Sequence, residues 1–100
     1  MSATIGRARI TILFESTFSI KEKRGEISSI VKRVRNQFNA AIAEIETMDD
    51  MRTGTLGLVV LSNNASHANS MLSTIVAFIE RSLDLGHLGD VEVELFSFDG

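Results

Sequence analysis

Two hydrophobic periods follow one another along this chain in a set order, and that order restricts the folds open to it. Residues 7–15 (RARITILFE) place Ala8, Ile10, Ile12 and Phe14 on one face and Arg7, Arg9, Thr11 and Glu15 on the other, the period of two that marks a half-buried strand. From about Lys21 to Phe38 the apolar residues Ile27, Ile30, Val31, Val34 and Phe38 recur at helical spacing, which predicts an amphipathic helix capped near Ser19. Gly25 lowers its helix propensity by up to about 1 kcal/mol. Residues 40–47 alternate again, with Ile45 facing one way and Ile42, Glu44 and Glu46 the other. Met48 to Gly54 reads as a polar turn. Thr55 to Ser62 (TLGLVVLS) is apolar on both faces, the pattern of a central strand. Ser62-Asn63-Asn64 then offers capping chemistry for a second helix over roughly 65–83, which buries Ala68, Met71, Leu72, Ile75, Ile79 and Leu83. The last strand, Val91 to Phe98, turns Val91, Val93 and Leu95 to the core, opposite Glu92, Glu94 and Phe96.

The order βαββαβ predicts one α+β domain over residues 1–100. It is ferredoxin-like, with two helices on one face of a four-stranded antiparallel sheet of order 4-1-3-2. Right-handed crossovers are read as setting strands one and three side by side and parallel at the centre, with strands two and four as edges. The carboxylate pairs Glu44/Glu46 and Glu92/Glu94 suit edge strands that must resist uncontrolled pairing. Arg7 and Arg9 are expected to form cross-strand ion pairs with Glu92 and Glu94. Two helices leave one face of the sheet uncovered, and Leu13, Ile42, Phe96 and Phe98 are expected there. Such a patch predicts a homodimer that covers part of it.

Composition narrows the classes further. One hundred residues suffice for a hydrophobic core, and 44% apolar content without proline excludes a disordered chain. No apolar run approaches the roughly 18 residues of a membrane span, and the first residues run directly into a strand pattern without signal-peptide architecture. The chain has no cysteine, hence no disulfide, zinc–thiolate site, iron–sulfur cluster or thiol nucleophile, which suits a cytoplasmic protein. His67 and His87, the two histidines, have no partner at metal-ligand spacing, so neither metal nor cofactor is expected. His67 reads as a packing or capping residue. Gly54-Thr55-Leu56-Gly57 and Gly86-His87-Leu88-Gly89 match G-x-x-G, but both precede strands instead of joining two helices, and read as turns. The third strand lacks the aromatics on which an RNA-recognition sheet stacks bases. No nucleophile–base pair or phosphate loop stands out, so the chain is not expected to be an enzyme.

Charge is uneven. Six basic residues, Lys21, Lys23, Arg24, Lys32, Arg33 and Arg35, against Glu22 and Glu26 leave residues 21–35 at +4 and the remainder at −7. Lys21, Arg24, Ser28, Lys32 and Arg35 line one side of helix one. Such a stripe either neutralises phosphates, with affinity that falls as salt rises, or is a solvated face whose long stems cover the core's edge.

Several blocks together resemble a known family. Ser19-Ile20-Lys21-Glu22-Lys23-Arg24, then Arg33-Val34-Arg35-Asn36-Gln37-Phe38-Asn39 and Ala43-Glu44, are similar to the S-L-K-x-K-R, R-x-R-x-F-N and A-E pattern of the YlxP-like family of small bacterial proteins. Leu56-Gly57, Ser62-Asn63 and His67 continue the match. Met51-Arg52-Thr53 departs from it, standing where W-x-R is usual. The resemblance implies a ferredoxin-like fold. It also implies a role near RNA or ribosomes, because genes of the family often adjoin those for a ribosome-binding factor, an initiation factor and an elongation factor. The family's basic motif maps onto Lys21, Lys23, Arg24, Arg33 and Arg35. A non-catalytic RNA- or ribosome-associated accessory protein that uses the basic side of helix one is thus the leading expectation. A homodimeric structural or interaction module without nucleic-acid binding is the alternative.

Overall fold

A computed structural model describes residues 3–100. The elements run β1 (Thr4–Leu13), α1 (Ile20–Gln37), β2 (Ala41–Glu44), β3 (Thr53–Ser62), α2 (Ala65–Ser82) and β4 (His87–Ser97). Alternation fixes which side of β1 is buried: Ala8, Ile10 and Ile12 are almost wholly enclosed and Phe14 continues their row. α1 starts on a reciprocal capping box, in which Ser19 Oγ accepts from Glu22 N at 3.1 Å while Glu22 Oε1 accepts from Ser19 N at 2.9 Å. α2 starts at Asn64, whose side chain accepts from His67 N at 3.0 Å. Both helices lay their apolar stripes on one side of the sheet. Ile27, Ile30, Val34, Ala68, Leu72, Ile75, Phe78 and Ile79 meet the inner rows of β1 and β3 there.

The sheet order is β2-β3-β1-β4, the ferredoxin-like arrangement. Every pairing in it is antiparallel. The two central strands therefore do not run parallel, contrary to the reading of the crossovers. The crossover through α1 does bring β2 back parallel to β1, but one strand position away. The β2–β3 hairpin then reverses the chain, so the strand that fills the gap opposes both neighbours.

Four further local readings are corrected. β2 has four residues, not eight, because the chain leaves the strand after Glu44 and Glu46 takes a left-handed φ of 68°. Ile42 lies opposite Leu58 and is 3% exposed in the core, while Ile45 packs over Gly57, so these two residues take the sides opposite to those expected of them. Gly54-Thr55-Leu56-Gly57 is not a turn but part of β3. A Cβ on Gly54 would come within 2.7 Å of Ile27 Cδ1, so glycine there lets α1 approach the strand closely. β4 begins at His87 and contains a bulge, where Gly89 and Asp90 oppose Thr11 alone between the pairs Ile10–Val91 and Ile12–Leu88.

Candidate interaction surface

The basic residues of α1 turn to different partners. Lys23 is fully buried, at 0% exposure. Its ammonium donates to Thr47 O at 2.5 Å and Asp50 O at 2.6 Å and pairs with Glu44 Oε2 at 2.9 Å, three acceptors for three protons. A buried cation persists only when satisfied in this way, and here it holds the loop after β2 against the helix. Lys23 thus cannot touch an external phosphate, in contrast to its assignment among the binding residues. Its position foretold this. Residues 23, 27, 30 and 34 share one helical phase, and the other three are apolar.

Arg24 donates to Met48 O at 3.4 Å and Asp49 Oδ1 at 3.3 Å, so it serves the same loop from outside. Arg35 donates to Ile42 O at 2.9 Å. Since Ile45 N donates to Thr55 O, the alternation of an antiparallel ladder turns Ile42 O away from β3. Arg35 therefore covers the free edge of β2. The Arg33 and Arg81 guanidiniums lie 5.5 Å and 5.4 Å from the ring centroid of Phe78, which Phe38 meets edge-on. Lys21 and Lys32 are exposed and, among the described residues, make no ion pair. Of the six basic residues between positions 21 and 35, Lys21, Lys32 and Arg33 are exposed and, among the described residues, make no hydrogen bond or ion pair to the protein's own polar groups.

One carboxylate on α1 escaped sequence reasoning. Glu26 accepts from the backbone N–H groups of Asp84, Leu85 and Gly86 at 2.7 to 3.0 Å, closing the turn between α2 and β4. Nothing in the sequence pairs residue 26 with a turn 60 positions away.

The uncovered face of the sheet divides in two. Its middle is ionic. Arg7 pairs with Glu94 as expected, but Arg9 pairs with Glu46, whose left-handed backbone swings it onto this face. Arg9 holds the Glu46 carboxyl below the usual carboxylate range through a two-toothed hydrogen bond and charge attraction, and Glu92 adds to the field that raises Arg9. An open hollow of about 600 Å³ lies here, with Gly57 and Ile45 at one side and Arg7, Arg9, Glu92 and Glu94 around it. Arg7 and Arg9 are matched by Glu92 and Glu94, and Glu46 on Arg9 adds a further carboxylate, so the hollow has no cationic excess to draw an anion.

The end of the same face is apolar. Leu61, Ile5 and Phe96 form a row across three strands, flanked by Val59 and Phe98. Val59, Leu61, Phe96 and Phe98 are all exposed, at 43% or more. On the opposite face of β4, Val93 and Leu95 are exposed too, because α2 stops short of this edge. These side chains were assigned to the core on alternation alone.

At the start of α2, Ser62 Oγ lies 2.9 Å from His67 Nδ1 and also accepts from Asn64 N at 3.2 Å, so both side chains belong to the helix start. Among the described residues no group of three or more His, Cys, Asp or Glu could hold a metal ion, and no helix is long and apolar enough to cross a membrane.

Comparison with known proteins adds a family and a fold. The family model described as "Protein of unknown function (DUF503)" matches residues 5–92. The "Uncharacterized protein YlxP" of Bacillus subtilis (strain 168) is 32% identical over 76 residues, covering 76% of this chain and 83% of that protein. Among solved structures, the de novo designed protein Foldit4 matches with a TM-score of 0.53 at 14% identity, over 94% of this chain and 96% of its own; this likeness is one of fold alone. The designed protein LFR1 1, of ferredoxin fold, matches with a TM-score of 0.42 at 23% identity over 98% of this chain and 86% of its own.

Proposed function

The chain belongs to the DUF503 family of YlxP-like proteins, and on that premise we propose that it is a non-catalytic interaction module that pairs with a second copy of itself at the apolar end of its sheet. The observation that carries this reading is the concentration of half-exposed large apolar side chains where β1, β3 and β4 end together, while the helices close the other face over β1 and β3. Water disfavours such a patch, and association removes it. Phe96 and Phe98 alone, at 43% and 56% exposure, present on the order of 100 Å² each. Light scattering at high micromolar concentration should give twice the mass of the chain, and Phe96→Asp should restore the single mass. A wild-type protein that remains monomeric throughout overturns the reading.

A second reading, contact with RNA or ribosomes, is supported by the outward ammonium groups of Lys21 and Lys32 on α1. Phosphate contact through them is sequence-independent. In that case Lys21→Ala with Lys32→Ala lowers co-sedimentation with ribosomal particles and reduces the slope of log affinity against log salt by about 1.4 for single strands. Unchanged sedimentation and salt dependence exclude it. This reading ranks second because Lys23, Arg24 and Arg35, half of the six basic residues between positions 21 and 35, are bonded within the protein.

A further inference from the structure

The sheet has two edges, and the chain treats them differently. β2 is four residues long, and Arg35 covers its outward carbonyl at Ile42. β4 is 11 residues long, and among the described residues no other strand lies beyond it. Phe98 N donates to Ala3 O, so alternation assigns the inward N–H groups to Phe98, Phe96, Glu94 and Glu92. The N–H groups of Val93, Leu95 and Ser97 then point outward from the edge. Natural edges are blunted by charge, bulges or cover. The bulge at Gly89 and Asp90 blunts only the first part of β4, and the two carboxylates beyond it have cations of their own chain nearby. Glu94 pairs with Arg7, and Glu92 lies in the field of Arg9. From Val93 onward, the strand is exposed and apolar on both of its faces: Val93 and Leu95 on the helix side, Phe96 and Phe98 on the other. A strand apolar on both faces has the pattern of a central strand, and β4 becomes one only if another strand joins it.

Resting on the homodimer reading, we infer that the occupant is the β4 strand of a second copy, added antiparallel across a two-fold axis at Leu95 to make one continuous sheet. Stacking the open faces of two sheets would cover Phe96 and Phe98 but leave Val93 and Leu95 in water, whereas edge pairing reaches both sides. Charge fixes the register. An axis at Val93 sets Glu92 opposite Glu94 of the other copy, and an axis at Glu94 sets that carboxylate opposite itself; like charges directly opposed are destabilising. An axis at Leu95 pairs Leu95 with Leu95, Val93 with Ser97, Glu94 with Phe96 and Glu92 with Phe98, and joins the outward N–H groups of both copies to outward carbonyls. An axis at Phe96 also separates the carboxylates, but it breaks this match by setting Val93 against Asp99, beyond the end of the strand.

The absence of cysteine makes the test clean. Directly opposed residues in a hydrogen-bonded antiparallel pair have Cα atoms about 5.5 Å apart, within the span of a disulfide. Leu95→Cys should therefore link two chains under mild oxidation, whereas Val93→Cys, whose copies stand four residues out of register, should not. Leu95→Pro removes an outward N–H without breaking a bond inside the chain, and should weaken dimerisation at least tenfold. Circular dichroism checks that each variant keeps its fold. If the protein is a dimer by light scattering while Leu95→Cys stays unlinked, or Val93→Cys links equally, this pairing is overturned and the homodimer stands. If the protein is monomeric at high micromolar concentration, both fall.

Discussion

The basic side of α1 and the uncovered end of the sheet look alike in a residue count, since each gathers one kind of side chain in one place. They differ in what those side chains touch. On α1 the charges turn back into the protein: Lys23 into the core, Arg24 onto the loop, Arg35 onto the β2 edge, Glu26 into the turn before β4. At the end of the sheet, Val59, Leu61, Val93, Leu95, Phe96 and Phe98 remain in solvent. A cluster that meets its own partners makes structure, and only a cluster left without partners is free to bind.

The contrast is most exposed to test at Lys23. Lys23→Met leaves Glu44, 13% exposed, and the carbonyls of Thr47 and Asp50 without their cation. Breaking a buried pair in this way should cost about 3–5 kcal/mol in urea unfolding, and an unchanged midpoint would mean that α1 does not depend on its charges. Next in size is Glu26→Ala, which deprives three backbone N–H groups of a charged acceptor. A loss of about 1.5–3 kcal/mol is expected. By contrast, Lys21→Ala with Lys32→Ala should move stability by no more than about 0.5 kcal/mol, as exposed groups without partners do. A larger loss would show that these two lysines also work inward.

The smallest effect concerns pH. Arg9 lowers the pKa of Glu46, so the folded state holds this carboxylate ionised more readily than the unfolded chain does. The contribution is present above the ordinary carboxylate pKa and disappears as pH falls through the lower folded value. In acid titrations followed by denaturation, Arg9→Gln should flatten the loss of stability on that side. An identical profile in wild type and variant would remove Arg9–Glu46 from the account.

Periodicity made the element order and most of the core legible, because burial writes a period of two or 3.6 directly into the sequence, and the element order then led to the sheet order through the rules for connections. It failed at β2, where four residues are too few to fix a phase and Ile42 and Ile45 exchanged sides. It failed again at Val93 and Leu95, since alternation tells which way a side chain points but not whether a helix reaches far enough to cover it. The basic cluster was legible as charge but not as contact. Lys23 alone carried a visible sign, its phase with Ile27, Ile30 and Val34. The partners of Arg24 and Glu26 come from distant segments and leave no local trace, and Arg35 bonds a carbonyl seven residues on, past the end of the helical period.

Lys23 and Glu26 stand three residues apart on α1, yet they fasten segments 24 to 60 positions further along the chain. Contacts of such separation form only after long stretches of chain have closed. The loss of either side chain should therefore hardly slow refolding and should show instead as faster unfolding in the denaturant-dependent rates. In kinetic terms α1 carries two latches: they do little to guide the chain into its native state, and much to set how long it stays there.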